Sequence, residues 1–152
     1  MSSNLALALH LLFATIWVGG MAFAIVALRP ALSVLEPPQR LALMGRVHKR
    51  FFLVIWHAMP ITIISGYFLL FGYFGGFRGA GWHVHVMHLT GLIMSIIFLA
   101  IYFSPWKAMR RALAAGDMPA AAAANERIRI MVSVNLALGL LTTAIAGWGR
   151  LG

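Results

Sequence analysis

The sequence predicts an all-α protein: a four-transmembrane-helix bundle with both the N and C termini outside. Three observations predict it. Of the 152 residues, 62% are hydrophobic and only 10% charged, whereas soluble domains carry about 25% charged residues. Four apolar stretches are each long enough to cross a bilayer core, which takes about 20 residues. Ten of the twelve Lys and Arg residues fall in two of the three connections between those stretches. A mean hydropathy of +0.90 at this length excludes a soluble globular enzyme. The absence of cysteine excludes a disulfide scaffold.

The first span covers about 5–28 and holds no charge. It lacks the basic start and the cleavage site of a signal peptide, so it is expected to remain as a permanent span. Glu36-Pro37-Pro38 then breaks the chain, and residues 39–50 read as a helix feeding the second span at about 51–74. Gly75, Gly76, Gly79 and Gly81 make a tight turn before the third span at about 84–103. Asp117-Met118-Pro119 reads as a helix start, with Asp117 near the cap and Pro119 in the first turn. The alanine run 120–124 carries this helix into the fourth span at about 130–148. Residues 1–152 are expected to form a single integral membrane domain.

The formal charge of +9 is a topology signal. Arg29, Arg40, Arg46, Lys49 and Arg50 lie between spans one and two. Lys107, Arg110, Arg111, Arg127 and Arg129 lie between spans three and four. Only Arg78 and Arg150 lie on the other face, and all three acids (Glu36, Asp117, Glu126) share the basic side. The positive-inside rule places the two basic loops in the cytoplasm. The basic residues are not interleaved with stacking aromatics, so a nucleic-acid partner is not expected; the partner is the lipid bilayer.

Ionisable residues inside a membrane are costly and are functional candidates. His10 lies about five residues inside the outer end of span one, and His88 about four inside the outer end of span three. At about 1.5 Å per residue the two share a depth. His83 and His85 lie at the outer boundary beside Trp82. His57 lies about six residues inside the basic end of span two, and His48 is expected to be a solvated surface residue. Helical spacing gives each span an inward face: His10, Ala14, Trp17 and Met21 in the first, and His57, Ile61, Ile64 and Gly72 in the second. The third has His88, Gly91, Ser95 and Tyr102; the fourth has Met131, Asn135, Gly139, Thr142 and Ala146.

Three readings of the outer pair stand open. His10 and His88 would be axial ligands of a b-type haem, with Phe13, Trp17, Gly19, Gly20 and Gly91 making room for the flat ring. Alternatively, His10, His85 and His88 form a three-imidazole site for copper or zinc, and Met21, Met59, Met87 and Met94 favour Cu(I). In the third reading the imidazoles only hydrogen-bond between helices. His57 is expected to bond Asn135, with a ligand role as the lesser reading. No hydrolase, phosphate-loop or zinc-protease motif is present, and no paired carboxylates lie in a span, so no catalytic side chain is assigned.

The stretch His10-Leu11-Leu12-Phe13-Ala14-Thr15-Ile16-Trp17-Val18-Gly19-Gly20 resembles the first span of the CopD-like copper-resistance membrane family. It also resembles the HemJ-type protoporphyrinogen oxidases. Lys49-Arg50, then Pro60 and Gly66, is similar to their second span, and Trp82 to Leu92 to the start of their third. The likeness covers roughly the first two thirds of the chain. The HemJ-type resemblance implies a four-helix haem b protein in which the first-span ligand is His10. That family's functional Lys falls at about His88, a departure that keeps an iron ligand. The CopD-like resemblance implies copper handling, in longer chains than this one.

The expected function is therefore a membrane b-type haem protein, multi-pass in a bacterial inner membrane, with haem b held by His10 and His88. It would transfer single electrons to or from a quinone or porphyrin, as a haem-dependent oxidoreductase, and a homodimer would help enclose the haem. A CopD-like copper-binding or transport protein is the alternative.

Overall fold

The computed structural model describes residues 1–149; Arg150 lies outside them. Helix α1 (Ser3–Phe23) begins where the Ser2 hydroxyl accepts from the Leu5 amide. It runs into a single π-turn, Ala24–Leu28, then a helical turn α2 (Arg29–Ala31) and a 3-10 turn, Leu32–Val34. Helix α3 (Pro37–Gly72) is continuous through the expected 39–50 feeder and the second span. Pro37 suits its first turn, where the amide would be unpartnered. The Gln39 side chain accepts from the Glu36 amide. The chain then turns at Gly75 and Gly76, both with positive φ.

Helix α4 (Trp82–Phe103) ends at Ser104, whose φ of −115° and ψ of −88° are not helical. Pro105 causes this: its ring crowds the residue before it out of the helical region. Helix α5 (Pro105–Ala115) follows and stops at Gly116, which adopts the left-handed conformation. Helix α6 (Met118–Gly149) starts as expected, with the Asp117 carboxylate accepting from the Ala120 amide at 3.0 Å.

Four stretches are long and apolar enough to cross a membrane: Ser3–Val34, Pro37–Gly72, Trp82–Ala115 and Met118–Gly149. Helix α1 packs chiefly on α3, α4 on α6, and α5 folds back onto α6. The core joins these pairs through Trp17, Met21, Phe52, Ile55, Met94 and Ile128. Polar links tie α4 to α6: the Thr142 hydroxyl donates to that of Thr90 at 2.7 Å, and the Asn135 amide donates to the Met94 carbonyl at 3.2 Å.

The expected inward faces of spans one and four hold: Trp17, Met21, Asn135 and Gly139 are buried. The expected inward face of span two does not. His57 is exposed and Ile64 is 55% exposed. The face that packs inward carries Phe52, Ile55, Ala58, Met59, Thr62 and Ser65. These residues recur at three- and four-residue steps, as a packed helical face requires. His57, two positions from Ile55, is turned about 200° away from it.

Candidate functional site

His10 of α1 meets α3 at a notch. Its Nδ1–H donates to the Thr62 carbonyl at 2.9 Å. A carbonyl can only accept, so the neutral ring carries its proton on Nδ1 and keeps a lone pair on Nε2. The notch exists because residue 66 is glycine. A Cβ there would lie 3.1 Å from Cε1 and 3.3 Å from Nδ1 of His10. Pinning one imidazole nitrogen to a carbonyl is the arrangement that orients a metal-ligating histidine and raises its basicity.

His88 of α4 meets the same stretch of α3 one residue further on. Its Nε2 is hydrogen-bonded to the Tyr67 hydroxyl at 2.9 Å, and the two rings meet edge to face at 5.5 Å. His10 and His88 are thus each anchored to α3 within residues 62–67. Phe77, on the Gly-rich turn, covers the outer side. It sits 5.1 Å from the His88 ring and stacks on His85 at 5.9 Å.

The expected surroundings differ in detail. Trp17 is buried in the core. Gly20 opens no slot for a flat ring, since its free side is filled by Phe51, whose Cε2 would lie 2.6 Å from an added Cβ. At Gly91 the nearest neighbour to an added Cβ is Ile63 at 3.8 Å. Among the described residues no three of His, Cys, Asp or Glu are grouped to hold a metal ion. The set of His10, His85 and His88 is therefore not assembled in this conformation.

The two inner histidines exchange the roles expected of them. His57 does not bond Asn135; its Nδ1–H donates to the Leu53 carbonyl on its own helix at 2.8 Å. Asn135 bonds Met94 instead, and its Oδ1 is buried with no partner among the described residues. His48 is not a solvated surface residue. It is buried, donates from Nε2 to Asn125 Oδ1 at 3.0 Å, and stacks on Phe52 at 5.4 Å with Trp106 against its edge. The burial follows from α5, which brings Trp106 back over the inner end of α3.

The residues that sequence reasoning missed are Thr62 and Tyr67, the partners of His10 and His88. Their signal was a polar and small run, Thr62, Ser65, Gly66 and Tyr67, inside an otherwise apolar span. Outside the spans, one carboxylate organises the basic side. Glu126 bonds Arg29 at 3.1 Å and accepts from Arg129 Nε at 2.8 and 2.9 Å. The hydrogen bond from Arg129, with Arg29 alongside, holds the Glu126 carboxyl below the usual carboxylate range.

Fold and site together define a multi-pass integral membrane protein of four apolar helices, with histidines of α1 and α4 gathered onto α3. The family model described as Copper resistance protein D matches residues 45–149. That is more than half of the chain, and the chain belongs to this family. The match takes in α4 to α6 and most of α3, and leaves α1 with His10 outside it. No curated protein and no solved structure matches the chain.

Proposed function

We propose that this protein handles copper in the membrane and that His10 is the side chain that contacts the ion. One observation carries the reading: the His10 ring is pinned through Nδ1 to the Thr62 carbonyl in the Gly66 notch. That leaves Nε2, a nitrogen suited to copper, with its lone pair uncommitted. Membership of the copper-resistance family supplies the choice of cargo. His88 follows as the second contact, released when the Tyr67 hydroxyl turns away. The protein's own part is to orient the imidazole, exclude water and hold both histidines against one stretch of α3. With the basic loops in the cytoplasm, the site lies toward the outer end of the bundle.

Haem b draws on the same His10 nitrogen and is the second reading. It asks more of the chain. Both readings need Tyr67 to release His88 Nε2, and haem also needs Phe51 to leave the space beside Gly20. Electron transfer with a quinone or porphyrin belongs to this reading.

The test is metal analysis and an absorption spectrum of the purified protein in detergent. Stoichiometric copper without a Soret band, lost in His10→Ala, is expected. Gly66→Ala, which crowds the ring and disturbs its bond to the Thr62 carbonyl, should weaken copper binding by about tenfold, since losing the partner that orients a ligand costs about 10- to 100-fold. A Soret band lost in His10→Ala would replace copper with haem. Full copper retention in His10→Ala would overturn the assignment of the site.

A further inference from the structure

We propose that the groove where the π-turn of α1 meets α3 and α6 binds one anionic phospholipid, its phosphate between Arg29 and Arg129. The groove has two kinds of wall. Ile25 of the π-turn, Phe51 of α3 and Val132 of α6 line a shallow apolar channel, and Arg29 and Arg129 belong to the same lining. Two guanidinium groups share one carboxylate, Glu126. The cluster therefore carries one uncompensated positive charge, which matches the single negative charge of a phosphodiester. Both arginines keep room for a further partner, with side chains 28% and 42% exposed.

The backbone supports the reading independently. A π-turn inserts one extra residue into a helix and is found mostly at functional sites. Here it occupies Ala24–Leu28, directly before Arg29. The insertion advances Arg29 about 100° around the axis relative to an uninterrupted helix, and in this register it pairs with Glu126. The same turn supplies the channel's Ile25.

The ligand follows from both walls. A free phosphate would leave the apolar channel unused. A zwitterionic lipid carries its own cation toward the rim. An anionic phospholipid satisfies the charge with its headgroup and the channel with an acyl chain. Both arginines lie on the basic side of the bundle, where anionic headgroups collect.

The experiment uses the full chain in neutral detergent, with binding of phosphatidylglycerol and of phosphatidylcholine titrated by native mass spectrometry. Wild type should prefer phosphatidylglycerol by about thirtyfold, the scale of two basic contacts at a membrane surface. Arg129→Gln should bring the preference to parity, while Arg111→Gln, on α5 and away from the groove, should keep it. Val132→Trp, which fills the channel and leaves both arginines, should also abolish it, and it stands in if Arg129→Gln fails to fold. A preference that survives both Arg129→Gln and Val132→Trp overturns the proposal. So does an equal loss in Arg111→Gln, which would mean diffuse attraction. Displacement of phosphatidylglycerol by an equal concentration of glycerol phosphate would make the ligand a free phosphate and overturn the lipid.

Discussion

His48 and His57 lie nine residues apart on α3, about half a turn out of phase, and meet opposite surroundings. His48 faces α5 and α6, where Asn125, Phe52 and Trp106 enclose it. His57 faces away from the bundle and bonds the Leu53 carbonyl of its own helix. Removing a buried imaidazole's hydrogen bond and packing costs about 1–3 kcal/mol. Exposed positions that hold nothing together change stability by about 0.5 kcal/mol or less. His48→Ala should therefore lower the unfolding free energy in detergent by 1–3 kcal/mol, and His57→Ala should leave it nearly unchanged. Equal effects would contradict the observed phase of α3. The charged neighbours Arg46, Lys49 and Arg50 suggested the reverse for His48, because they mark a wet boundary. The shielding comes from Trp106, 58 residues along the chain, and no local pattern announces it.

Helix ends were legible wherever a residue has a backbone reason to stop. Pro37, the Gly75-Gly76 turn and Asp117 all mark boundaries that the structure keeps. The π-turn was not legible, because Ala24–Leu28 is as apolar as the helix before it and composition carries no record of hydrogen-bond register. Its consequence is visible only in the fold: Arg29 reaches Glu126 on α6. That link makes a pH prediction. Glu126 titrates below its unfolded value, first because of the Arg129 hydrogen bond and then because of Arg29. The folded state therefore binds the proton less readily than the unfolded chain, and the contribution is present at neutral pH. It should be lost as pH falls through the carboxylate range toward the lowered folded value. The pair is half exposed, so the effect is small. Thermal unfolding in detergent from neutral pH to pH 3 should show this slope in wild type and a shallower one in Glu126→Gln.

At the scale of the whole molecule, four spans were legible because lipid demands long apolar runs. His10 and His88 were legible because lipid makes an ionisable residue conspicuous. Their partners were less so: a ring nitrogen bonded to the Thr62 carbonyl involves no side-chain motif, and Gly66 acts by what it lacks. The direction of insertion rests on charge alone, with ten basic residues on one face and two on the other. Three of the ten have hydrogen-bond partners in the fold. Arg40 donates to the Leu35 and Ser33 carbonyls, and Arg29 and Arg129 hold Glu126. Because the chain has no cysteine, single substitutions report position without background. Ala80→Cys, in the Gly-rich turn, should react with a membrane-impermeant maleimide in intact cells or spheroplasts. Ala114→Cys, exposed near the end of α5, should react only after the membrane is opened. The reverse pattern would invert the bundle and turn the His10–His88 end toward the cytoplasm. Copper would then have to reach the site from inside the cell.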